Sequence, residues 1–252
     1  MNENPTAEQK VAIVTGGASG LGYAIVEKFV QSGIRTVVIG RNEEKLNAAR
    51  EAFGDLCSTI SFDLSNLQGI PELVESIARE QGRIDILVNN AGINMKKPFT
   101  EVSDDDFQKI ILTNVNAVFA LSREVVKVML GQKQGSIVNI SSMASQYGIP
   151  KVIAYTASKS AIEGMTRAMA VDLSPEGIRV NCVAPGFIAT DMSAKALNND
   201  PERKNKVLSR TPMGKLGTPA DVAEAVYFFS TEASKYVTGT VLPVDGGNSI
   251  GF

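Results

Sequence analysis

Seven short runs of apolar, partly β-branched residues recur along the chain, at 11–14, 35–39, 57–62, 84–88, 136–140, 178–184 and 240–244. Each has the length and bounded form of a buried strand. Between them the apolar positions return with helical spacing, which predicts helices over 21–31, Glu43–Phe53, 67–80, 103–130, a segment through Tyr155 and Lys159, and 220–230. Strands that alternate with helices build a mainly parallel sheet with ligands at the carboxyl ends of its strands. The expectation is an α/β protein with a doubly wound, mainly parallel, seven-stranded sheet and helices on both faces. A single domain over 1–252 is expected, because no internal repeat, low-complexity tract or linker interrupts the pattern. One stretch departs from it: from 191 to 216 the chain turns polar and charged, as a lid or a surface insertion does.

Composition narrows the function classes. A formal net charge of -2 over 252 residues gives no basic footprint for nucleic acid. No apolar run approaches the roughly 20 residues of a membrane span, and the first nine residues lack the basic start and apolar centre of a signal peptide. A cytoplasmic protein with neither nucleic acid nor membrane as partner is expected. Cys57 and Cys182 fall within apolar runs, where a free thiol acts as a small buried hydrophobe; neither a disulfide nor a metal site is expected. The chain has no histidine, which removes Ser-His-Asp and Cys-His catalysis and the usual His-bearing zinc sites. Its proton donor must be Tyr, Lys, Asp, Glu, Cys or water.

The stretch after strand 136–140 supplies one. The strand end delivers the hydroxyl of Ser142, and the following helix presents Tyr155 and Lys159 four positions apart, on one face. A phenol of reference pKa ~10 is a poor acid at neutrality, but an adjacent cation favours its ionised form, at about 1.4 kcal/mol per unit of lowering. Tyr155 is therefore the candidate proton donor to a carbonyl oxygen. At the other end of the chain, strand 11–14 runs into Gly16, Gly17, Ser19, Gly20, Leu21 and Gly22 and then a helix, whose first amides and dipole suit a pyrophosphate. The second strand is followed by Gly40 and Arg41; an acid there would hold the ribose hydroxyls of NAD, whereas an Arg accommodates the 2′-phosphate of NADP. NADP(H) is favoured.

Taken in order, Thr15-Gly16-x-x-x-Gly20-x-Gly22, Asn89-Asn90-Ala91-Gly92, Ser142 and Tyr155-x-x-x-Lys159 resemble the short-chain dehydrogenase/reductase family of the extended Rossmann fold, over nearly the whole chain. The resemblance implies catalytic roles for Asn114, Ser142, Tyr155 and Lys159, with Asn114 on a kinked helix that holds a water. It implies cofactor contacts at Gly16, Ser19, Gly20, Leu21, Gly22, Arg41, Asp63, Leu64, Asn90, Ala91, Gly92, Tyr155 and Lys159. Pro185, Gly186, Ile188 and Thr190 resemble the family's nicotinamide-holding Pro-Gly motif. Asp63 has two readings, an adenine contact and the start of a turn. Ser19 stands where many NADP-preferring relatives carry a base, so NAD(H) stays open. The family position of 191–216 is that of a lid, and relatives are commonly homotetramers, with the apolar tail Ser249-Ile250-Gly251-Phe252 at an interface. Asp104–Asp106 read as first-turn helix chemistry, not a metal site.

For the substrate, Gly92-Ile93, Lys97-Pro98-Phe99-Thr100-Glu101, Ser142-Met143-x-Ser145 and Arg210-Thr211-Pro212 are similar to the gluconate 5-dehydrogenase-like branch, which acts on sugar acids and polyols. Lys96, Lys97, Arg210 or Lys215 could meet a carboxylate. The alternative is a 3-oxoacyl-acyl-carrier-protein reductase, with Lys133 compatible and Glu176 standing where such reductases commonly carry a base. A cofactor-sensing regulator that has lost catalysis is the reading outside the enzymes; the complete set Asn114, Ser142, Tyr155 and Lys159 weighs against it.

Overall fold

The computed structural model describes residues 9–190 and 201–251. Seven parallel strands form one sheet: β1 (Val11–Thr15), β2 (Arg35–Gly40), β3 (Cys57–Ser61), β4 (Ile86–Asn89), β5 (Gly135–Ile140), β6 (Ile178–Pro185) and β7 (Val241–Val244). Their order is β3-β2-β1-β4-β5-β6-β7. The chain winds outward from β1 to β3, then crosses back to lay β4 on the other side of β1. That reversal leaves a crevice above the carboxyl ends of β1 and β4, where such sheets hold ligands.

Side-chain alternation divides the core into two layers. Ala12 and Val14 of β1 face one layer with α1 (Gly20–Gln31), α2 (Glu43–Phe53) and α8 (Pro219–Ser230). Ile13 faces the other, with α3 (Ile70–Gln81), α5 (Ala117–Gln132) and α6 (Ile153–Leu173). Each fully buried Leu or Ile contributes about 1.5–3 kcal/mol relative to exposure. Helix starts follow local rules. Ser103 caps α4 (Asp104–Ile111) in a capping box with Asp106, and Thr218 does the same for α8 with Asp221 and Pro219 in its first turn.

The expected helix 103–130 is three pieces. Between α4 and α5 the chain makes a π-helical turn, Leu112–Asn116, closed by the Ala117 amide on the Leu112 carbonyl. One extra residue in the turn rotates α5 relative to α4, and Asn114 is buried within it. Of the polar stretch 191–216, residues 191–200 lie outside the described residues, while Pro201–Arg210 form α7.

Candidate active site

The glycine turn after β1 is shaped by what stands behind it. Gly16 and Gly20 adopt positive φ (65° and 55°), which L side chains avoid. A Cβ on Gly22 would lie 2.2 Å from the Gly16 carbonyl oxygen and 2.6 Å from Asn90 Nδ2. At Gly20 nothing stands within 4 Å, so the head of α1 opens to the crevice. Ser19, the first residue of that head, is exposed and makes no side-chain cap bond. Leu21 turns back to pack against the core.

A buried hydroxyl joins this turn to the end of β4. Thr15 Oγ1 accepts the amides of Asn90 (3.0 Å) and Ala91 (2.9 Å) and donates to the Val88 carbonyl. Asn90 Nδ2 returns to the Thr15 carbonyl at 2.9 Å. Asn89 points into the sheet instead, donating to Asn139 and to Ser122. The tetrad is thus divided in its bonding: Asn89 ties β4 to Asn139 and Ser122, while Asn90 and Ala91 are tied to Thr15 and the glycine turn.

At the rim, α2 opens at Asn42, whose side chain accepts the Lys45 amide. Arg41 therefore has no capping duty and stands exposed, 3.7 Å from Asp63. Asp63 begins a turn by accepting the Ser65 amide and hydroxyl. The Ser65 amide first, then its hydroxyl, hold the Asp63 carboxyl below the usual carboxylate range, with Arg41 adding to this. The turn reading of Asp63 is thereby observed, and Leu64 packs against the second core layer.

On the other side of the crevice, α6 carries Tyr155 and Lys159. Lys159, 5% exposed, sends its ammonium to the Ile140 carbonyl at 2.7 Å, and that ammonium lies 5.5 Å from the Tyr155 ring centroid. Asn114 braces the facing loop: its Oδ1 accepts the Ile93 amide (2.8 Å) and its Nδ2 donates to the Ile93 carbonyl (2.9 Å) and to Ser158 Oγ. Gly92 lies between the two, since a Cβ there would stand 3.3 Å from Asn114 Oδ1 and 3.6 Å from Lys159 Nζ. Ser142, at the strand end, accepts the Ala144 amide with its hydroxyl. Beyond β6, a Cβ on Gly186 would meet Asp245 at 2.6 Å, and Ile188 is buried and bridges to Gly217. Pro185 and Thr190 flank this turn.

Sequence reasoning placed Thr15 in the glycine motif but missed its bonds to the end of β4, and it missed the hydroxyl–carboxyl cluster of Ser141, Ser145 and Glu163 behind Ser142. Of the four cations weighed for a substrate carboxylate, Lys97 is paired with Asp106 at 2.6 Å. Arg210 stacks on the Tyr147 ring at 5.0 Å and uses Nε on the Asn248 carbonyl. Cys57 and Cys182 are both buried and free; burial pushes their thiols up to about 11 and about 12, with Glu163 adding to the second.

A parallel sheet with a glycine turn at its switch point and a Tyr-Lys stripe across the crevice defines the class of dinucleotide-dependent oxidoreductases. Comparison with known proteins places the chain within it. Residues 16–249 match a family profile described as Enoyl-(Acyl carrier protein) reductase. The chain is 40% identical to a 3alpha-hydroxysteroid dehydrogenase of Mediterraneibacter gnavus, covering 95% of this chain and 96% of the relative. It is 38% identical to the gluconate 5-dehydrogenase of Gluconobacter oxydans (95% and 94%) and 39% identical to a 3-oxoacyl-acyl-carrier-protein reductase of Thermotoga maritima (95% and 98%). Among solved structures, ElxO with NADP bound superimposes with a TM-score of 0.89 at 33% identity, covering 95% of this chain and 98% of that one. The chain belongs to the short-chain dehydrogenase/reductase family and is an oxidoreductase of CH–OH and C=O groups.

Proposed function

We propose that the protein interconverts a carbonyl and a secondary alcohol on a sugar acid or polyol, with NADP(H) preferred over NAD(H). The observation that carries this reading is the placement of the Lys159 ammonium 5.5 Å from the Tyr155 ring centroid and beside Gly92, on the carboxyl-end side of the sheet. The open head of α1 with Ser19 and Gly20 would hold the pyrophosphate, Arg41 a 2′-phosphate, and Asp63 with Leu64 the adenine. Asn90, Ala91, Gly92, Lys159 and the Pro185–Thr190 turn would hold the nicotinamide riboside. When bound, the cofactor supplies the hydride.

The chain's own residues manage the proton. Tyr155 gives it to, or takes it from, the substrate oxygen; the Lys159 ammonium stabilises the charge that develops on the phenol; Ser142 donates a hydrogen bond to the same substrate oxygen. Asn114 braces the loop and positions a water for the relay. The substrate assignment follows the gluconate 5-dehydrogenase likeness, and Arg210, fixed on Tyr147, is the cation proposed to meet the carboxylate. A second reading, the 3-oxoacyl thioester, is favoured by the likeness to the acyl-carrier-protein reductases. Subunits assemble as a homotetramer through α5 and α6, where Phe119, 51% exposed, borders a hollow of about 610 Å³. Gel filtration of a stable monomer would remove that assembly.

NADPH oxidation is measured in parallel with 5-ketogluconate, an acetoacetyl thioester and a 3-oxosteroid, with Tyr155→Phe as the blank. Turnover of the keto acid alone supports the sugar-acid reading; turnover of another substrate alone replaces it. Tyr155→Phe lowers kcat by about 10²- to 10⁴-fold; a variant that keeps its turnover removes the catalytic assignment.

A further inference from the structure

The face of α6 that carries Tyr155 and Lys159 continues, one turn on, to Glu163, which is only 8% exposed. Its carboxyl forms no ion pair with any described residue. A buried carboxyl is costly unless hydrogen bonds answer it, and an apolar residue of similar volume would fill the same space without that cost. Here two hydroxyls answer it. Glu163 Oε1 accepts from Ser141 Oγ at 2.9 Å and closely from Ser145 Oγ. The Ser145 hydroxyl stands between this carboxyl and the Ser142 carbonyl, 2.5 Å from the latter.

Three successive residues at the end of β5 are thus tied to one stripe of α6. Ile140 is held by Lys159, Ser141 donates to Glu163, and the single Ser145 hydroxyl proton is shared between Glu163 Oε1 and the Ser142 carbonyl. The turn Met143–Ser145, which the Ser142 side chain caps, is fixed at its far end by the same carboxyl. We propose that Glu163 is a positioning residue: through Ser141 and Ser145 it holds the Ser142 hydroxyl in register with Tyr155, so that both reach one substrate oxygen. This rests on the roles proposed for Ser142 and Tyr155. It explains why a carboxyl is kept inside the helix–strand contact, two turns from the phenol and on its stripe.

The test compares Glu163→Met, Glu163→Gln and Ser145→Ala in the full-length enzyme, on the substrate that the turnover assay identifies, with kcat, KM, NADPH affinity by fluorescence and the melting temperature measured for each. Glu163→Met is expected to lower kcat about 10- to 100-fold, the cost of a catalytic group displaced by an ångström or so, with NADPH affinity within about twofold. Glu163→Gln keeps the accepting oxygen and restores kcat to within about threefold. Ser145→Ala lowers kcat in the same direction, and Ser145→Ala combined with Glu163→Met is no worse than Glu163→Met alone, because the two act in one chain. A kcat within about twofold of the parent in Ser145→Ala, or additive losses in the double variant, overturns the proposal. If Glu163→Met does not fold, Ser145→Ala decides alone. Tyr155→Phe separates the two failures: normal turnover there removes the acid–base reading itself, whereas a dead Tyr155→Phe beside unaffected Glu163 and Ser145 variants removes this inference only.

Discussion

The two walls of the crevice are built from different materials. The proposed nucleotide wall, after β1 and β4, is backbone and small residues: Gly16, Gly20 and Gly22 make room, and Thr15 and Asn90 stitch the turn to the neighbouring strand. The proposed catalytic wall, after β5, is side chains from α6 and the π-helical turn, of which Lys159 and Asn114 are each held by other polar groups. Shape governs the first wall, so a single added methyl is an error in volume. The second is governed by direction, and there a side chain of the right volume but the wrong chemistry is enough to disable it.

That contrast can be broken from either side. The largest effect is expected from Lys159→Met, which keeps the volume and removes the cation: kcat falls about 10²- to 10⁴-fold in steady-state assays. Gly22→Ala should show the opposite signature. Its Cβ has no space against the Gly16 carbonyl and Asn90, so NADPH affinity drops about 10- to 100-fold by fluorescence titration while kcat at saturation is largely kept. Unchanged affinity there would mean that shape does not govern that wall. Asn114→Leu, which cannot pair with the Ile93 backbone, is expected to cost about 10- to 100-fold in kcat and, by leaving those groups unpaired, about 1–3 kcal/mol of stability, read as a lower melting temperature. Arg41→Ala should weaken NADPH binding about tenfold and leave NADH unaffected, the ratio of the two affinities being the readout.

The smallest effect is one of order. Each half carries one buried thiol, Cys57 on the sheet-edge strand β3 and Cys182 in interior β6. With their thiols raised to about 11 and about 12, neither reacts with an aromatic disulfide at pH 8 in the folded state. As denaturant is added Cys57 reacts first, because an edge strand opens before a central one. Simultaneous reaction would show the halves to be one cooperative unit.

The sequence was legible where the information is local. The glycine spacing of 16, 20 and 22 and the Tyr155–Lys159 interval each lie within one short stretch of chain, and a short motif suffices to read them. The strands were legible for the same reason, as bounded apolar runs. The π-helical turn was not legible from apolar periodicity, which over 103–130 does not register one inserted residue; an Asn in a helix interior, and the kink at Asn114 that the family resemblance implied, pointed to it. The bonding roles of Thr15 and Glu163 were illegible for a different reason. Their partners stand 75 and 18 residues away in sequence, and a Thr in a strand or a Glu on a helix is unremarkable until the sheet brings those partners in. Glu163 lies four residues beyond Lys159, and that spacing was the signal available.

The Thr15 bond also bears on how the protein comes into being. It spans 75 residues between strands that touch only after a full crossover has been made. Parallel pairings of that range are slow to form, since chain entropy is lost before the contact repays it. A growing chain therefore makes its glycine turn early but has no nucleotide cradle until β4 has docked beside β1. Nucleotide capture during refolding then serves as a clock for that docking, and cofactor in the refolding buffer stabilises only chains that have passed it.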